Sequence, residues 1–392
     1  MSRSKVWDVA VIGAGPAGAT AARVAAEHGC SALLLERESI PRYKTCGGGL
    51  VGHSLAALPD GAELTVYDEV RRVTLSHRGR WDRTLTARPP LAKLVFRSEF
   101  DATLVDSAAR AGAHVRDSCA VRGIESGRRE VSLRLGDGEV VRARSVVGAD
   151  GSAGRTARHV GVRCRQVDLA LEIEVPVDRR TTRRWDGRAL LEWGPFPGSF
   201  GWVFPKGGTS TVGVVGSRGR PEETRRYMAD FVQRRGFSEF EPVHDTGHLT
   251  RCRHADSPLA RDRVLVAGDA AGLADPWLRE GISFALRSGE LAARSAVAIA
   301  GSLRSSDVDS AEREYARALQ AGLGAEMRAG ERLARIFGAH PGWVHTALIA
   351  LPPVWHRVDD YLAGRRTIPD IVDRPAVRPA ITALTALSPE PS

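Results

Sequence analysis

The sequence is poor in lysine and cysteine, and it lacks an apolar run long enough to cross a membrane. Only four of its 56 basic residues are lysines, so arginine carries nearly all of the positive charge. The five cysteines are odd in number and widely spaced. This spacing predicts neither a disulfide framework nor a metal site, and it favours a reducing, cytoplasmic location. The longest apolar stretch near the C-terminus, 344–355, is too short for a bilayer span.

A concentrated basic patch is also missing, although the net charge is +9. The arginines are scattered, with neither a basic tail nor interleaved aromatic residues, so nucleic-acid binding is not predicted. The charge suits an anionic membrane surface or a phosphorylated substrate. Because the first predicted strand begins at residue 6, no signal peptide is expected. We predict a cytoplasmic protein that can make peripheral contact with a membrane.

Residues 6–36 have the pattern strand, glycine turn, helix, strand and acid. An apolar strand ends in Gly13-Ala14-Gly15-Pro16-Ala17-Gly18, an alanine-rich helix follows, and a second strand ends at Glu36. The glycines permit a tight turn and close approach to a pyrophosphate, and Glu36 can accept a hydrogen bond from a ribose hydroxyl. The alternative is a packing turn in another α/β fold. The pattern predicts a dinucleotide site that includes Gly13, Gly15, Pro16, Ala17, Gly18, Glu36 and Arg37.

Two later predicted strands also end in an acid beside a glycine. The first leads into Asp150-Gly151, and the second leads into Gly268-Asp269 and then a helix that begins near Gly281 and Ile282. Three such corners in one chain are much more specific than any one of them alone.

Two other segments predict a pocket. Residues 41–49, Pro-Arg-Tyr43-Lys44-Thr-Cys46-Gly47-Gly48-Gly, contain three consecutive glycines. Because glycines bury little and cost backbone entropy, we predict that they lie against a large planar ligand and do not serve packing; a mobile surface loop is the alternative. Residues 200–206, Phe200-Gly-Trp202-Val-Phe204-Pro205-Lys206, place large side chains on one face. This is typical of the wall of a flat apolar pocket, or of an ordinary sheet core.

These motifs together, with Arg97, resemble the flavoprotein group that includes p-hydroxybenzoate hydroxylase. Within that group, 41–48 and 200–206 look like the two hallmark motifs of the geranylgeranyl reductase family, FAD-dependent enzymes that saturate isoprenoid C=C bonds. The resemblance implies an α/β fold with a glutathione-reductase-type Rossmann FAD domain, a mixed β-sheet substrate domain and a C-terminal helical section. The expected limits are 1–70, 96–162 and 245–305 for the FAD domain, 71–95 and 163–244 for the substrate domain, and 306–392 for the helical section.

The resemblance also implies roles for single residues. Asp269 would hold a ribityl hydroxyl and Arg97 would lie near the pyrophosphate or ribityl chain; an N-cap and a surface salt bridge are their structural alternatives. The expected cofactor set further includes Asp150, Gly268, Gly281 and Ile282. The expected substrate pocket comprises Tyr43, Lys44, Phe200, Trp202, Phe204, Pro205, Lys206 and Trp277. Phe200 replaces a frequent tyrosine of the family, which removes a hydroxyl from the pocket, and 277–279 is bulkier than the family's pattern, which changes the expected shape of the pocket.

The implied reaction adds a hydride from flavin N5 and a proton to an electron-rich alkene in a dry slot. Gly47 and Gly48 would let the backbone approach the flavin. Cys46 would deliver the proton, orient the substrate while water delivers it, or only pack. No second glycine motif serves a nicotinamide, so NAD(P)H or ferredoxin would reduce the flavin from outside.

Three functions remain open on the sequence. The leading one is a reductase of the prenyl side chain of a menaquinone, with geranylgeranyl diphosphate or a prenyl lipid as the next substrates. The rival enzyme is a flavin-dependent monooxygenase, epoxidase or halogenase of an aromatic or terpenoid substrate, because 200–205 is similar to the halogenase motif Trp-x-Trp-x-Ile-Pro, without its first Trp and its Ile. The third is a non-enzymatic flavin-binding redox sensor or lipid carrier.

Overall fold

The computed structural model of the protein describes residues 5–87 and 89–388, so the predicted limits at residues 1 and 392 lie outside the described residues. Its strands are β1 (Val6–Ile12), β2 (Ala32–Leu35), β3 (Gly49–Val51), β4 (Asp68–Val70), β5 (Arg72–His77), β6 (Arg80–Thr86), β7 (Ala92–Leu94), β8 (His114–Arg116), β9 (Val121–Ser126), β10 (Val131–Leu135), β11 (Val140–Gly148), β12 (Cys164–Pro176), β13 (Arg188–Trp193), β14 (Phe200–Lys206), β15 (Thr209–Ser217), β16 (His244–Arg253), β17 (Ala260–Arg261) and β18 (Val264–Val266).

Its helices are α1 (Pro16–Glu27), α2 (Gly52–Ala56), α3 (Arg97–Arg110), α4 (Thr156–Val160), α5 (Arg179–Trp185), α6 (Pro221–Arg235), α7 (Ile282–Gly301), α8 (Ser305–Ala321), α9 (Leu323–Ala339), α10 (Pro341–Ala350), α11 (Pro352–Leu362), α12 (Ile368–Val372) and α13 (Arg378–Leu387), with a 3₁₀ turn at Gly268–Ala271.

The first sheet is the predicted Rossmann core. Its strand order is β17-β18-β11-β1-β2-β8, and β1 pairs in parallel with both β11 and β2. Val9 and Val11 are fully buried in β1, because α1 and α7 pack on the sheet. The two helices come close because Gly289 of α7 lies against the backbone of Ala17, where a Cβ atom would overlap Ala17 O. This dense apolar layer fixes the position of the turn that follows β1.

The second sheet is mixed, as predicted, with the order β16-β12-β15-β14-β13-β5-β6. Its pairs are antiparallel except for the parallel pair of β13 and β5. One face buries Ile173 and Val203 against α6, which contributes Phe231 to the same apolar cluster. Because side chains alternate along a strand, the neighbours of these residues on β12 and β14 point to the other face, toward the first sheet. The predicted domain limit at 245 falls inside β16, which pairs with β12 of this sheet.

The C-terminal section is helical, as predicted. The α8 helix joins the Rossmann core through Tyr315, whose hydroxyl donates to Val266 O at 2.6 Å. The α10 and α11 helices contact the second sheet and α2, and α12 and α13 pack on α9. In the described part of the chain, no helix combines the length and the apolar character that crossing a membrane requires.

Candidate functional site

A cavity of about 780 Å³ lies between the two large sheets. The parallel strands β1, β11 and β18 end at its edge, which brings the three acid-glycine corners of the sequence together. The 42–49 loop and the aromatic face of β14 form the other wall. The cavity therefore has a polar end at the strand termini and an apolar end across the second sheet.

The glycine turn after β1 leaves open space beside the N-terminus of α1. Gly13 has φ +98°, and a Cβ atom there would meet Ala149 at the end of β11, so only glycine fits. At Gly15, in contrast, a Cβ atom would meet only guanidinium nitrogens, Arg42 Nη2 at 3.6 Å and Arg97 Nη2 at 3.9 Å. No side chain caps α1, so its first N–H groups face this space. The arrangement fits the pyrophosphate of FAD.

The two arginines beside the turn are held by buried carboxylates. Arg97 donates to both oxygens of Asp101 at 2.8 and 2.9 Å, and Arg42 lies 3.1 Å from Glu36 and 3.3 Å from Asp101. Burial alone would lower the pKa of Arg97, but Asp101 and Cys46 hold it above its ordinary value. Arg97 is thus a buried cation facing the cavity and not a surface salt bridge. The sequence analysis did not predict Arg42 as a site residue, although it lies inside the 41–48 motif.

Glu36 and Arg37 follow β2 at the polar end. Glu36 is buried, and its Oε2 accepts from the N–H of Ala14 at 2.9 Å, which ties the acid to the glycine turn. It also lies 3.1 Å from Arg42 and lines the edge of the cavity. Arg37 lines the same edge, but its side chain is 71% exposed and pairs with Glu38.

The acids of the two later corners have different environments. The Asp150 carboxylate accepts from the N–H groups of Arg155 and Thr156 and from the Thr156 hydroxyl, so it organises its own turn. Asp269 lies 3.3 Å from His248 Nε2. Burial would raise the pKa of Asp269, but His248, Lys44 and Arg97 hold it below its ordinary value. A charged carboxylate therefore faces the cavity there, next to Gly268, Gly281 and Ile282.

The glycine loop packs tightly, which corrects one expectation. A Cβ atom on Gly47 would lie 2.7 Å from the Phe204 ring and 3.2 Å from Trp202 Nε1, and one on Gly48, which has φ +70°, would overlap Val95 O. The prediction that these glycines do not serve packing was wrong, because Phe204 of β14 closes on Gly47 and the backbone of Val95 closes on Gly48. Trp202 Nε1 is buried without a hydrogen-bond partner among the described residues, so a donor points into this packed region.

Cys46 is fixed by backbone and side-chain contacts. Its N–H donates to Glu172 Oε1 at 2.9 Å, and its Sγ accepts from the N–H of Gly48 at 3.4 Å. The thiol is half-buried and lines the cavity. These contacts hold the sulfur at the junction between the polar and the apolar end.

The structure separates the predicted substrate-pocket residues into two groups. Those that line the cavity are Tyr43, Lys44, Phe200, Trp202 and Phe204, and those outside its lining are Pro205, Lys206 and Trp277. Trp277 turns away and packs on Phe337, with ring centroids 5.6 Å apart. Leu278 and Arg279 line the cavity in its place, and Asp168 holds the Arg279 guanidinium at 2.7 Å.

Glu172 is the most unusual acid in the cavity wall, and sequence reasoning missed it. It is fully buried on β12, and burial raises its pKa to about 7 despite the opposing charge of Lys206. The available signal was the pattern Leu-Glu172-Ile-Glu174-Val, in which acids occupy every second position of an apolar strand. Such a pattern directs both carboxyls to one face of the sheet.

Replacing Glu172 by glutamine is expected to stabilise the fold increasingly as the pH rises. The ordinary pKa of 4.5 is raised to about 7 by burial, so the stabilising effect of protonated Glu172 is complete below about pH 4.5 and is lost as the pH rises through about 7. Glutamine resembles the protonated acid at every pH. The gain in unfolding free energy at pH 8 is expected to be on the order of 3 kcal/mol at most.

Thermal denaturation of both proteins between pH 5 and pH 8 measures this difference. The exposed Glu239→Gln variant is the control, and its offset from the wild type is expected not to change with pH. A constant offset for Glu172→Gln would show that the Glu172 pKa is not raised.

Comparison with known proteins agrees with the geometry. The sequence profile of the FAD binding domain family matches residues 6–323. The chain is 30% identical over 316 residues to a digeranylgeranylglycerophospholipid reductase of Methanosphaerula palustris, covering 74% of this chain and 76% of the relative. It is 29% identical over 316 residues to a menaquinone reductase of Mycobacterium tuberculosis, covering 75% of this chain and 77% of the relative.

Two solved structures have the same fold. A geranylgeranyl bacteriochlorophyll reductase-like protein of Thermoplasma acidophilum superimposes with a TM-score of 0.74 at 22% identity, covering 95% of this chain and 99% of its own. A flavin-dependent brominase also reaches a TM-score of 0.74 at 20% identity, with coverage of 98% of this chain and 100% of its own. The fold alone therefore does not distinguish a reductase from a halogenase.

Proposed function

Because the chain belongs to the FAD binding domain family and to its geranylgeranyl reductase group, we propose that it saturates C=C bonds of a polyprenyl chain. The members of this group are FAD-dependent oxidoreductases. The observation that carries the proposal is the apolar end of the cavity, where Phe204 and Trp202 close on the Cys46–Gly48 turn. The leading substrate is the prenyl side chain of a menaquinone, followed by geranylgeranyl diphosphate and prenyl lipids.

The cavity has the shape that a long apolar chain needs. Its lining crosses the second sheet from β12 to β5, which are separated by four strand intervals or roughly 19 Å. Val73, Ala189 and Leu191 continue the apolar surface beyond the aromatic wall. A branched hydrocarbon buried there would lose contact with water along its length, which is the main source of its binding free energy.

The polar end has the groups that FAD needs. Arg42 and Arg97 with the start of α1 would hold the pyrophosphate, Glu36 a ribose hydroxyl, and Asp269 a ribityl hydroxyl. When bound, FAD supplies the hydride that adds to one carbon of the double bond. We propose NAD(P)H or ferredoxin as the external reductant. The residues of the chain bind the substrate, exclude water and supply the proton.

Peripheral contact with a membrane is part of the proposal, because the proposed substrates partition into lipid. Trp343, Leu351 and Leu387 in or next to the C-terminal helices are 71%, 52% and 75% exposed, and the chain carries a net charge of +9. Exposed aromatic and aliphatic side chains on a basic protein suit an anionic lipid surface.

Mass spectrometry of isoprenoid lipids and quinones from cells with and without the gene tests the proposed function. A mass difference of about two units for each saturated double bond is expected, and identical lipid profiles would contradict it. Anaerobic turnover of the purified protein with chemically reduced flavin separates the rival enzyme class. A reductase works without oxygen, whereas a monooxygenase or halogenase does not.

Cys46→Ala is expected to lower the rate of chain reduction by about 100-fold without weakening FAD binding, if the thiol delivers or directs the proton. The Cys46 N–H bond to Glu172 is a backbone contact, so alanine keeps it and the loop position is preserved. The measurement is anaerobic single turnover with chemically reduced flavin. An unchanged rate would assign Cys46 to packing.

A further inference from the structure

The proposed reaction consumes one proton inside a cavity that the substrate itself fills. The wall near Cys46 consists of Trp202, Phe204 and the glycine turn, which leave little room for water beside a bound chain. A proton source is therefore needed within the wall, together with a path to solvent that does not pass through the slot.

Most acids that line the cavity already have hydrogen-bond or ion-pair partners. Glu280 accepts from Ser54 and from the N–H of Ser283, and the other partnered acids are Glu36, Glu38, Asp150 and Asp269. Glu172 differs from them. Its Oε1 accepts from the Cys46 N–H, and its fully buried Oε2 meets no hydrogen-bonding group in residues 5–87 or 89–388.

Glu172 also lies in line with the aromatic wall. In the strand register it stands opposite Gly213, which in turn stands opposite Trp202. A Cβ atom on Gly213 would overlap the indole ring, so Trp202 lies across the glycine toward β12. The free carboxyl oxygen is thus next to the thiol loop and the ring that would cover the double bond.

Lys206 occupies the space behind the glycine turn. Its side chain is fully buried, with Nζ 3.9 Å from Glu174 Oε1 and 4.5 Å from the centre of the Phe96 ring. A Cβ atom on Gly48 would lie 3.2 Å from the same Nζ. Within the described chain the ammonium has no hydrogen-bond partner, so it can exchange a proton without breaking a bond.

A second cavity of about 250 Å³ borders this cluster. Glu174 and Phe96, the two neighbours of Lys206, are part of its lining, together with Tyr43, Lys44, Arg97, Ser98 and His244. Water there can reach Glu174, whose carboxylate lies 3.9 Å from Lys206 Nζ, while the large cavity holds a substrate.

The charges around Glu172 suit proton exchange. It faces Lys206 from β14, Glu174 from its own strand, and Lys44, Cys46 and Tyr43 from the loop. Burial raises its pKa to about 7 and lowers that of Lys206, although Glu172 and Glu174 oppose the second shift. Both shifts have the same cause, because burial disfavours the charged form of each group.

We propose that Glu172 holds the proton consumed at the double bond, and that Lys206 and Glu174 connect it to water in the second cavity. The step, which rests on the reductase function proposed above, adds the hydride to one carbon and the Glu172 proton to the other, directly or through the Cys46 thiol. The Glu172 carboxylate then regains a proton from the Lys206 ammonium through a bridging water molecule, because the two groups have no direct hydrogen bond. Lys206 regains one by way of Glu174, which takes it from water in the second cavity, and the external reductant restores the two electrons.

Infrared titration of the full-length, FAD-loaded protein tests the proton-holding group without turnover. The carbonyl band of protonated buried carboxyls is expected to lose intensity with an apparent pKa near 7, and the part of this loss that Glu172 contributes is expected to be missing from Glu172→Gln. Subtracting the spectrum of this variant separates Glu172 from Glu280, whose pKa burial also raises to about 7. In Lys206→Met the band is expected to titrate at higher pH, because the ammonium favours the charged carboxylate. A titrating band that persists unchanged in Glu172→Gln would overturn the proposal.

Anaerobic single turnover between pH 6 and pH 8 tests the chemical step. The wild-type rate is expected to fall as the pH rises through about 7, whereas Glu172→Gln is expected to be at least 100-fold slower and independent of pH, with unchanged FAD affinity. Glu239→Gln is expected to match the wild type. If the wild type reduces a polyprenyl chain and Glu172→Gln keeps its rate and pH profile, this proposal alone fails. If the wild type reduces no isoprenoid, the proposed function fails as well.

Discussion

Replacing Gly15 by alanine is expected to weaken FAD binding about 100-fold, or about 2.7 kcal/mol, while leaving the fold intact. The added methyl group would contact only the guanidinium nitrogens of Arg42 and Arg97, at 3.6 and 3.9 Å. It strains no backbone angle, because Gly15 has φ −78°. It does occupy the space where the pyrophosphate would approach the first N–H groups of α1. The substitution therefore lowers the affinity for FAD and does not lower the stability of the fold.

The measurement is titration of the apoprotein with FAD, followed by flavin fluorescence. Gly301→Ala is the matched control, because a Cβ atom there would meet no other atom within 4 Å and its backbone needs no glycine. Both variants are expected to keep the wild-type circular dichroism spectrum. Equal FAD affinity of Gly15→Ala and Gly301→Ala would rule out the pyrophosphate site at this turn.

Filling the apolar end of the cavity is expected to produce the second large effect. Ala189→Trp should lower the rate of long-chain reduction about 100-fold, because a displaced chain no longer presents its double bond at Cys46. Ala189 lies on β13 in register with Val73, and both line the cavity beyond the aromatic wall. FAD affinity should be unaffected, because the polar end remains unchanged.

A graded series makes this prediction specific. Ala189→Leu is expected to have an intermediate effect, since the loss should follow the volume added to the cavity. Ala376→Trp introduces the same side chain at an exposed position and should behave as the wild type. The assay is anaerobic turnover with polyprenyl substrates of increasing length. Equal rates for Ala189→Trp and the wild type on long chains would place the substrate elsewhere.

The polar end could be predicted in outline because each of its corners is a local feature. A buried strand, a glycine turn and a helix follow one another within residues 6–27, so their order along the chain already determines their geometry. The acid-glycine corners at 150–151 and 268–269 are likewise formed by residues that are neighbours in the sequence. Arg42 escaped notice because its role depends on Glu36 and Asp101, which only the folded chain brings to it.

The apolar end was predicted only in part. The alternation of residues 200–206 correctly predicts that Phe200, Trp202 and Phe204 share a face. It does not reveal that Phe204 presses on Gly47, nor that Lys206 is withdrawn behind the turn into full burial. Trp277 was expected in the pocket, but its packing on Phe337 of α9 turns it outward.

The sequence by itself determined the nucleotide-binding turn, the family and the composition of the two walls, because these depend on neighbouring residues and on strand and helix periodicity. Only the tertiary structure decided which of the described acids that line the cavity is buried without a full set of partners. Glu172 and Cys46 are 126 residues apart, and their contact exists because β12 carries one and the glycine loop carries the other to the same wall. Desolvation acts on the assembled environment of a group, so a shifted pKa cannot be inferred from local sequence.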